Sequence, residues 1–234
     1  MSRILFLSLA CLILTVPAFV MADDPAPNTL TDAEKEAGFE LLFDGDSMEN
    51  FRGYKKDEVH DGWEIIDGAI TRVTGGGDII TREQYAEFEL VLEYRISKGG
   101  NSGIMFHVTE EDGPSYLSGP EIQVQDNVDG HDPQKSGWLY QFYSSEVDAT
   151  NPVGEWNEMR IVISEEKCST HMNGTLYYEF VLNSDDWNER LAKTKFATWP
   201  LFNKSPVGHV ALQDHGNEVA YRSIRIREIN ADEE

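Results

Sequence analysis

From Gly38 onward, apolar and polar residues alternate in short runs. The run Phe88–Ile96 (FELVLEYRI) shows the pattern well, because its even positions are all apolar or aromatic whereas its odd positions carry mostly charges. A period of two is typical of a β-strand with one face in a core and the other toward solvent or a polar groove. The pattern predicts eleven strands, at residues 40–43, 63–66, 69–73, 88–96, 103–108, 120–126, 155–164, 167–173, 175–182, 207–213 and 221–228.

The segments between these runs have the composition of turns. Asp67-Gly68 and Asn173-Gly174 each join two predicted strands, and such pairs accept the positive φ angles of tight hairpins. Proline is absent from the strand interiors, as a hydrogen-bonded sheet requires. Helix is predicted at 184–191, with Ser184 or Asp185 as the N-cap, and as a single turn after Thr31. The chain is therefore predicted to be all-β, a sandwich or jelly roll.

Neither an internal repeat nor a second hydrophobic run interrupts this pattern, which predicts a single domain over residues 38–230. The first 22 residues combine one Arg with an apolar run and end in Val-Met-Ala, which is typical of a secretory signal cleaved after Ala22. A membrane anchor is the alternative, but the run is only just long enough for a span. We expect a secreted or periplasmic protein with a polar tether at 23–37 and an acidic tail at 231–234.

Charge narrows the choice of partners. The chain carries 42 acidic and 19 basic residues, a formal net charge of −23. Such a surface repels phosphate backbones and anionic lipid, so we expect no nucleic-acid partner and no stable membrane insertion. The simplest interpretation of the acidity is solubility. Of the two cysteines, only Cys168 lies outside the predicted signal, so no internal disulfide is expected.

Two predicted strands carry polar groups on one face. In PEIQVQD, Glu121, Gln123 and Gln125 share a face, and in GHVALQDHG the alternation groups Gln213 and His215 with His209 and Ala211. A solvent-exposed stripe would explain either strand alone. Together they predict a pocket with a carboxylate, amides and an imidazole, which suits the binding of hydroxyl-rich ligands and the transfer of a proton.

Other segments add candidates for a sugar site. Asn101 lies in the turn GGNSG, where it could approach a ligand or merely complete a hairpin. Trp138 and Tyr140 in GWLYQFY are aromatic residues of the kind on which sugar rings stack, although core packing explains such residues as often. Trp63 and Trp156 lie within alternating runs and are predicted as core residues.

The six histidines show no zinc-binding spacing, and no G-x-S-x-G motif is present. Strand-borne ligands leave no spacing signature, so a divalent ion held by Glu121 and His215 is the one metal site that we keep as an alternative. No metal is assigned on this basis, and nucleophilic catalysis by Ser or Cys is not expected.

In their order along the chain, these segments resemble the 3-keto-disaccharide hydrolase domain, also described as a 3-keto-glucoside lyase and hydratase. The resemblance covers about residues 38 to 229 and is carried by GFELLFDGDSMENFRG, DGWEIIDGAI, GGGDIIT, YAEFELVLEYRISKGGNSGIMFHV, GPEIQVQDN, GEWNEMRIVI, MNGTLYYEF and VGHVALQDHGNEVAYRSIRIREI. It implies a concanavalin-A-like jelly roll of the lectin and glucanase type, and a 3-keto-sugar as the substrate. It also implies cleavage by removal of the C2 proton, elimination of the C1 substituent and hydration, or net hydrolysis.

This chemistry requires a base near C2 and groups that hold the sugar. We expect His215 to be the base or a metal ligand and Glu121 to be its carboxylate partner or a metal ligand. The amides of Gln123, Gln213 and Asn101 would orient the ligand. His131 stands where the resemblance implies a histidine that reaches the cleft from a loop.

Two aspartates and one histidine need separate interpretation. Asp126 and Asp214 fall on the opposite strand faces, which predicts turn and loop hydrogen bonds rather than catalysis. His107 stands where the family commonly has Arg, and GWLYQFY replaces a commoner glycine-rich turn. We expect both departures to alter the cleft.

Two other functions are compatible with the same fold, because fold does not fix function. One is a carbohydrate-binding module without activity. The other is an ordinary glycosidase with two carboxylates across the cleft, for which the predicted polar faces offer Glu121 but no evident second acid.

Overall fold

A computed structural model describes residues 26–229 and confirms the all-β prediction. It contains thirteen strands, two short α-helices and two 3-10 turns. The strands are β1 Glu40–Leu41, β2 Phe51–Gly53, β3 Trp63–Ile66, β4 Ala69–Arg72, β5 Ile79–Thr81, β6 Phe88–Ile96, β7 Asn101–Val108, β8 Glu121–Gln125, β9 Asn157–Ile163, β10 Cys168–Met172, β11 Thr175–Phe180, β12 His209–Leu212 and β13 Val219–Glu228. The helices are α1 Asp32–Glu36 and α2 Asp185–Leu191, and the 3-10 turns are Ser115–Leu117 and Lys195–Thr198.

The strands form two antiparallel sheets packed face to face. The larger has eight strands in the order β11-β10-β9-β6-β13-β4-β3, with β1 also paired to β13, and the smaller has five in the order β2-β5-β12-β7-β8. Neighbours in these sheets are often distant in sequence, as in a jelly roll of the concanavalin A type. The strands β7, β8 and β12, which carry most of the predicted site, lie side by side in the smaller sheet.

The main core fills the space between the sheets. It receives Phe88, Leu90 and Leu92 from β6 and Ile122 and Val124 from β8, as the alternation predicts. Removing this much aliphatic and aromatic surface from water contributes about 25 cal/mol per Å² and is the main stabilising term of the fold. Cys168 is buried in the same core as a free thiol.

Trp63 is a core residue, only 2% exposed, as predicted. The core prediction for Trp156 is wrong. Its ring is partly exposed and lies between two guanidinium groups, 4.8 Å from that of Arg95 and 4.1 Å from that of Arg222. Alternation alone could not reveal this, because a tryptophan on the outer face between two arginines has the same spacing as one in the core.

The segment expected as a tether contacts the larger sheet where it is described. Thr31 caps α1 in a reciprocal capping box with Glu34, which confirms the predicted turn. The Asn28 side chain accepts a hydrogen bond from Ser223 N at 2.7 Å, and Glu34 forms an ion pair with Arg225 at 2.5 Å. The predicted signal peptide and acidic tail lie outside the described residues. Within residues 26–229, no helix is long and apolar enough to cross a membrane.

Candidate active site

The register of the smaller sheet brings the predicted polar groups onto one face. Asn101 of β7 pairs with Gln125 of β8, Gly103 with Gln123, and Met105 with Glu121. These residues alternate with core residues such as Ile122 and Ile104, so their side chains lie on the face that points away from the core. One sheet face therefore presents a carboxylate and several amides over neighbouring strands.

A cleft of about 160 Å³ covers this face. It brings together six of the eight predicted site residues: Asn101, Glu121, Gln123, Tyr140, Gln213 and His215. Four further residues that the sequence analysis did not single out complete its lining: Tyr116, Asp132, Lys195 and Phe196. The cleft thus combines acids, amides, an imidazole, an ammonium group and aromatic rings.

Glu121 lies deep in this cleft. Burial raises the pKa of its carboxyl to about 8, so that the group is largely protonated at neutral pH. The positive charge of Lys195 opposes this rise, whereas the negative charges of Asp78 and Asp132 add to it. Gly103 provides the space for the carboxyl, because a Cβ atom at position 103 would overlap Glu121 Oε1.

Several amide atoms beside Glu121 are buried and unpaired. Gln123 is only 1% exposed, and neither its Nε2 nor its Oε1 has a hydrogen-bond partner among residues 26–229. Asn101 Oδ1 and Gln213 Oε1 are in the same condition. More than nine in ten buried polar atoms in folded proteins are hydrogen-bonded, so a cluster of unpaired ones is costly to stability and requires a functional explanation.

His215 reaches the cleft from a loop rather than from a strand. Strand β12 ends at Leu212, so the face assigned to His215 by alternation does not apply. Gln213 N still donates to Gly103 O at 2.9 Å, which fixes the start of the loop against β7. The imidazole of His215 is exposed at the cleft and makes no hydrogen bond within the described part of the chain.

Asp214 fixes this loop from the opposite side. Its carboxylate pairs with Arg72 at 2.7 Å and accepts hydrogen bonds from the backbone N–H groups of Gly76 and Gly77. Asp126 likewise accepts hydrogen bonds from backbone N–H groups, including that of Gly99 at 2.9 Å. Both aspartates therefore make the loop hydrogen bonds that the sequence predicts.

Comparison with known proteins decides the family. The family model of the 3-keto-α-glucoside-1,2-lyase-like domain matches residues 38–227. The chain belongs to this family. The family is one of carbohydrate hydrolases and lyases.

Relatives of known sequence and structure agree. The chain is 33% identical over 227 residues to the 3-keto-disaccharide hydrolase of Bacteroides thetaiotaomicron, covering 81% of this chain and 78% of the relative. It is also similar to the crystal structure of a candidate glycosyl hydrolase from Parabacteroides distasonis, with 29% identity, a TM-score of 0.82 and coverage of 88% and 100% of the two chains. A second candidate glycosyl hydrolase from that organism, 24% identical with a TM-score of 0.62 over 82% of this chain and 99% of the other, shows the same fold.

In this lyase-like domain, Asp132 supplies a second cleft acid, although the sequence pattern had offered none besides Glu121. Its Oδ2 accepts a hydrogen bond from Tyr140 Oη at 2.9 Å, and its Oδ1 accepts one from Gln134 N at 2.8 Å. Asp132 follows His131 directly, but the His131 side chain is exposed and is not among the cleft-lining residues. Because both residues lie in a loop, the sequence has no periodic pattern that could show which of them lines the cleft.

Trp138 is also absent from the cleft lining. Its carbonyl accepts a hydrogen bond from Gln123 N at 2.9 Å, so its backbone extends the sheet beside β8 while its partly buried ring packs against the core. The neighbouring Tyr140 provides the aromatic face that the segment contributes to the cleft. Core packing, the alternative considered for these aromatic residues, therefore applies to Trp138.

The expectation that His107 alters the cleft is wrong. The pairing of β7 with β12 contains a register shift, and His107 has a φ of 52° at this irregularity. Its Nε2 lies 2.7 Å from Ala86 O, to which it donates. The residue lines a different cavity of about 580 Å³, which shares no lining residue with the cleft. The bulge breaks the alternation on which the expectation depended.

The divalent ion has limited support. No three His, Cys, Asp or Glu side chains within residues 26–229 are arranged to hold a metal ion. Glu121 and His215 would therefore bind an ion without a third ligand of these types from the described part of the chain.

Proposed function

We propose that this protein is an exported enzyme that cleaves 3-keto-glycosides by removal of the C2 proton, elimination of the C1 substituent and hydration of the product. One observation carries the proposal: a carboxyl group that is protonated at neutral pH shares a cleft with an imidazole and unpaired amides. A proton donor and a proton acceptor with different environments are what an elimination requires.

In the proposed elimination, His215 and Glu121 each transfer one proton. The ketone at C3 makes the C2 hydrogen acidic, and His215 accepts that proton as an enolate forms. The enolate then reforms the C3 carbonyl, a double bond forms between C1 and C2, and the C1–oxygen bond breaks. Glu121 donates its proton to the departing oxygen, so that a neutral alcohol leaves.

Hydration reverses the proton transfers. Ionised Glu121 accepts a proton from a water molecule as its oxygen bonds to C1, and protonated His215 returns a proton to C2. The product is a 3-keto-sugar, both groups regain their initial states, and the sum of the two steps is hydrolysis. One pair of residues therefore accounts for lyase, hydratase and net hydrolase activity.

The amides are assigned to holding the sugar. Each sugar hydroxyl both donates and accepts a hydrogen bond, which matches Gln123, with an unpaired donor and an unpaired acceptor, as well as the acceptors of Asn101 and Gln213. All three residues line the cleft. Tyr140 and Tyr116 provide ring faces on the cleft wall on which the sugar can stack.

A glycosidase acting on unoxidised sugars is the second candidate, and Asp132 favours it. Two carboxyl groups in one cleft, one of them protonated, are the equipment of ordinary glycoside hydrolysis. The Tyr140 hydrogen bond to Asp132 would then orient the nucleophile or the base. A binding module without activity is the third outcome that an assay must separate.

The assay compares oxidised and unoxidised sugars. The purified protein is incubated with 3-keto-trehalose and with trehalose, each with and without a chelator, and the products are identified by mass spectrometry. We expect 2-hydroxy-3-keto-glucal and 3-keto-glucose from the keto substrate alone. Cleavage of trehalose would establish the glycosidase, binding without cleavage would establish the module, and loss of activity with chelator would establish the metal.

Two histidine variants test the base. His215→Gln should lower kcat on the keto substrate at least about 100-fold, because the group that accepts the C2 proton is removed. His131→Gln is the matched control, since this histidine is exposed outside the cleft lining, and it should retain nearly the wild-type rate. Equal rates for the two variants would remove His215 from the mechanism.

Export is tested separately, in the native host. We expect the mature protein in the periplasm or medium, with an N-terminus at Asp23 in protein sequencing. Recovery of the full-length chain from the cytosol would contradict the export proposal and leave the proposed chemistry unaffected.

A further inference from the structure

The proposed elimination leaves the ammonium group of the cleft residue Lys195 without a role. Lys195 is the only cleft-lining residue with a permanent positive charge, in a chain whose formal net charge is −23. It begins the 3-10 turn Lys195–Thr198, which follows α2 and lines the cleft with Lys195 and Phe196. Its position in a loop connection left no signal in the sequence pattern.

The backbone at Lys195 is firmly held. Thr194 caps the turn by accepting a hydrogen bond from Phe196 N at 3.1 Å. The Phe196 ring is buried and stacks on Phe202, with centroids 4.3 Å apart and planes 3° apart. Lys195 N donates to Gln141 Oε1 at 3.3 Å. These contacts fix the origin of a side chain that would otherwise be mobile.

Aromatic rings restrain the ammonium group itself. Nζ lies 4.8 Å from the ring centroid of Tyr140, 5.2 Å from that of Phe196 and 5.8 Å from that of Trp199. Such cation–π contacts attract a lysine without using its N–H donors. Within residues 26–229, Nζ forms neither a hydrogen bond nor an ion pair. The rings therefore hold the ammonium group in place while its three N–H donors stay available for a ligand.

We propose that Lys195 is a further catalytic residue, whose ammonium donates a hydrogen bond to the C3 oxygen of the sugar as that oxygen becomes negatively charged. The inference rests on the proposed elimination, since an enolate forms only when the substrate carries a C3 ketone. When His215 removes the C2 proton, the electron pair moves to the C3 oxygen, and the positive charge of Lys195 stabilises the enolate. The pair then returns as the C1–oxygen bond breaks, and Lys195 keeps its proton throughout.

The aromatic surroundings of the Lys195 ammonium group make it suited to stabilising the enolate. A lysine paired with Asp132 or Glu121 would spend its hydrogen bonds on the protein in the ground state. With rings as its neighbours, Lys195 gains its strongest partner only when the oxygen carries charge, and interactions that strengthen in the transition state are those that raise kcat.

The test isolates enolate formation from cleavage. The probe is the 3-keto derivative of 1,5-anhydroglucitol, which has no exocyclic oxygen at C1 to be expelled, so that loss of the C2 proton in D2O is followed as deuterium exchange at C2 by NMR. We expect Lys195→Met to slow this exchange about 10²- to 10³-fold, the usual effect of removing one donor to a developing oxyanion. Lys195→Arg keeps the charge and should recover part of the rate.

Lys193→Met is the matched control, because Lys193 lies two residues away and lines a neighbouring cavity rather than the cleft. It should exchange at the wild-type rate, and the thermal unfolding of all variants shows that they are folded. Exchange by Lys195→Met at the wild-type rate would overturn the role of Lys195 while leaving the elimination intact. If wild type neither exchanges the probe nor cleaves 3-keto-trehalose, the proposed function fails and the inference fails with it.

Discussion

The outer face of the larger sheet and the cleft face of the smaller sheet both bury polar side chains, and Glu89 on the first and Gln123 on the second differ in whether the protein pairs them. Glu89 on the outer face is 3% exposed and binds Arg160 at 2.5 Å and Arg227 at 2.9 Å. Gln123 in the cleft is 1% exposed, and both of its amide atoms lack partners within residues 26–229. Similar burial therefore has opposite outcomes on the two faces.

The difference separates groups that hold the fold from groups reserved for a ligand. A buried polar atom without a partner costs about 1–3 kcal/mol, whereas a paired one is neutral or stabilising. Glu89 satisfies its charge within the protein and has no need of a ligand. The cleft retains an energetic cost that a sugar can relieve, so binding there gains from contacts that folding left unmade.

The largest expected effect comes from neutralising the cleft acid. Glu121→Gln keeps the shape but cannot supply the proton, so kcat on 3-keto-trehalose should fall about 10²- to 10⁴-fold. In wild type, kcat should decline as pH rises through about 8, where the carboxyl loses its proton. Steady-state kinetics from pH 6 to about 10 measure both. An unchanged rate in Glu121→Gln would show that the cleft does not use this acid.

The same residue links stability to pH. Because the pKa of Glu121 is higher in the folded protein than in the unfolded chain, folding takes up a proton at pH values between the two. This stabilisation is fully present below about pH 4.3 and is lost as pH rises through about 8. The Tm of Glu121→Gln should therefore fall less steeply with pH over this range, and equal slopes would contradict the raised pKa.

The second largest effect is expected from Glu89 on the outer face of the larger sheet, where a substitution should lower stability without changing kcat. Glu89→Gln leaves two arginines without their shared carboxylate and should lower the free energy of unfolding by about 2 kcal/mol, below the 3–5 typical of a fully buried pair because Arg160 is half exposed. Glu158→Gln, whose pair with Arg225 is more exposed, is the control and should cost less than about 1 kcal/mol. Urea denaturation measures both, and a loss of kcat in the folded Glu89 variant would blur the distinction between the faces.

The smallest expected effect is a gain in stability rather than a loss. Gln123→Met replaces an unpaired amide by an apolar chain of similar size and should raise stability by about 1 kcal/mol while raising KM for the keto substrate. Gln125→Met removes an amide whose Oε1 is unpaired but whose Nε2 donates to Asp132 O at 3.1 Å, and it should lower stability. Two stabilised or two destabilised variants would show that a fully unpaired amide and one with a paired donor do not differ in cost.

Alternation predicts most of the fold because a buried strand must be apolar on its inner face. The strand β6 has the predicted bounds, 88–96, and α2 begins after the predicted cap Ser184, whose side chain accepts from Trp187 N. The strands β2 and β5 escape prediction because each has three residues, too few to show a period. Strand β2 pairs with β5, and β5 pairs with β12. Both short strands therefore depend on partner residues that are distant in the sequence.

The same distinction applies to the candidate site: residues on predicted strands could be assigned to a face from the sequence, whereas residues in loops could not. Glu121 and Gln123 could be grouped from the sequence because they lie on one predicted strand, where a period of two fixes the face, whereas Asn101 was predicted in a turn and instead begins β7. Asp132 and Lys195 could not, since loops and 3-10 turns give no such period and only the tertiary structure brings them to the cleft. Even His215, which was predicted, reaches the cleft by a loop after β12 and not by the expected strand face.

The absence of a side chain at Gly103 has a use in classifying sequences. Any larger residue at this position would occupy the volume in which the Glu121 carboxyl lies. The two positions can therefore serve together as a diagnostic marker when new members of the family are sorted. A relative that keeps the glutamate but carries a bulky residue in place of the glycine would have to displace its acid, and it should be classed with binding proteins until an assay detects cleavage.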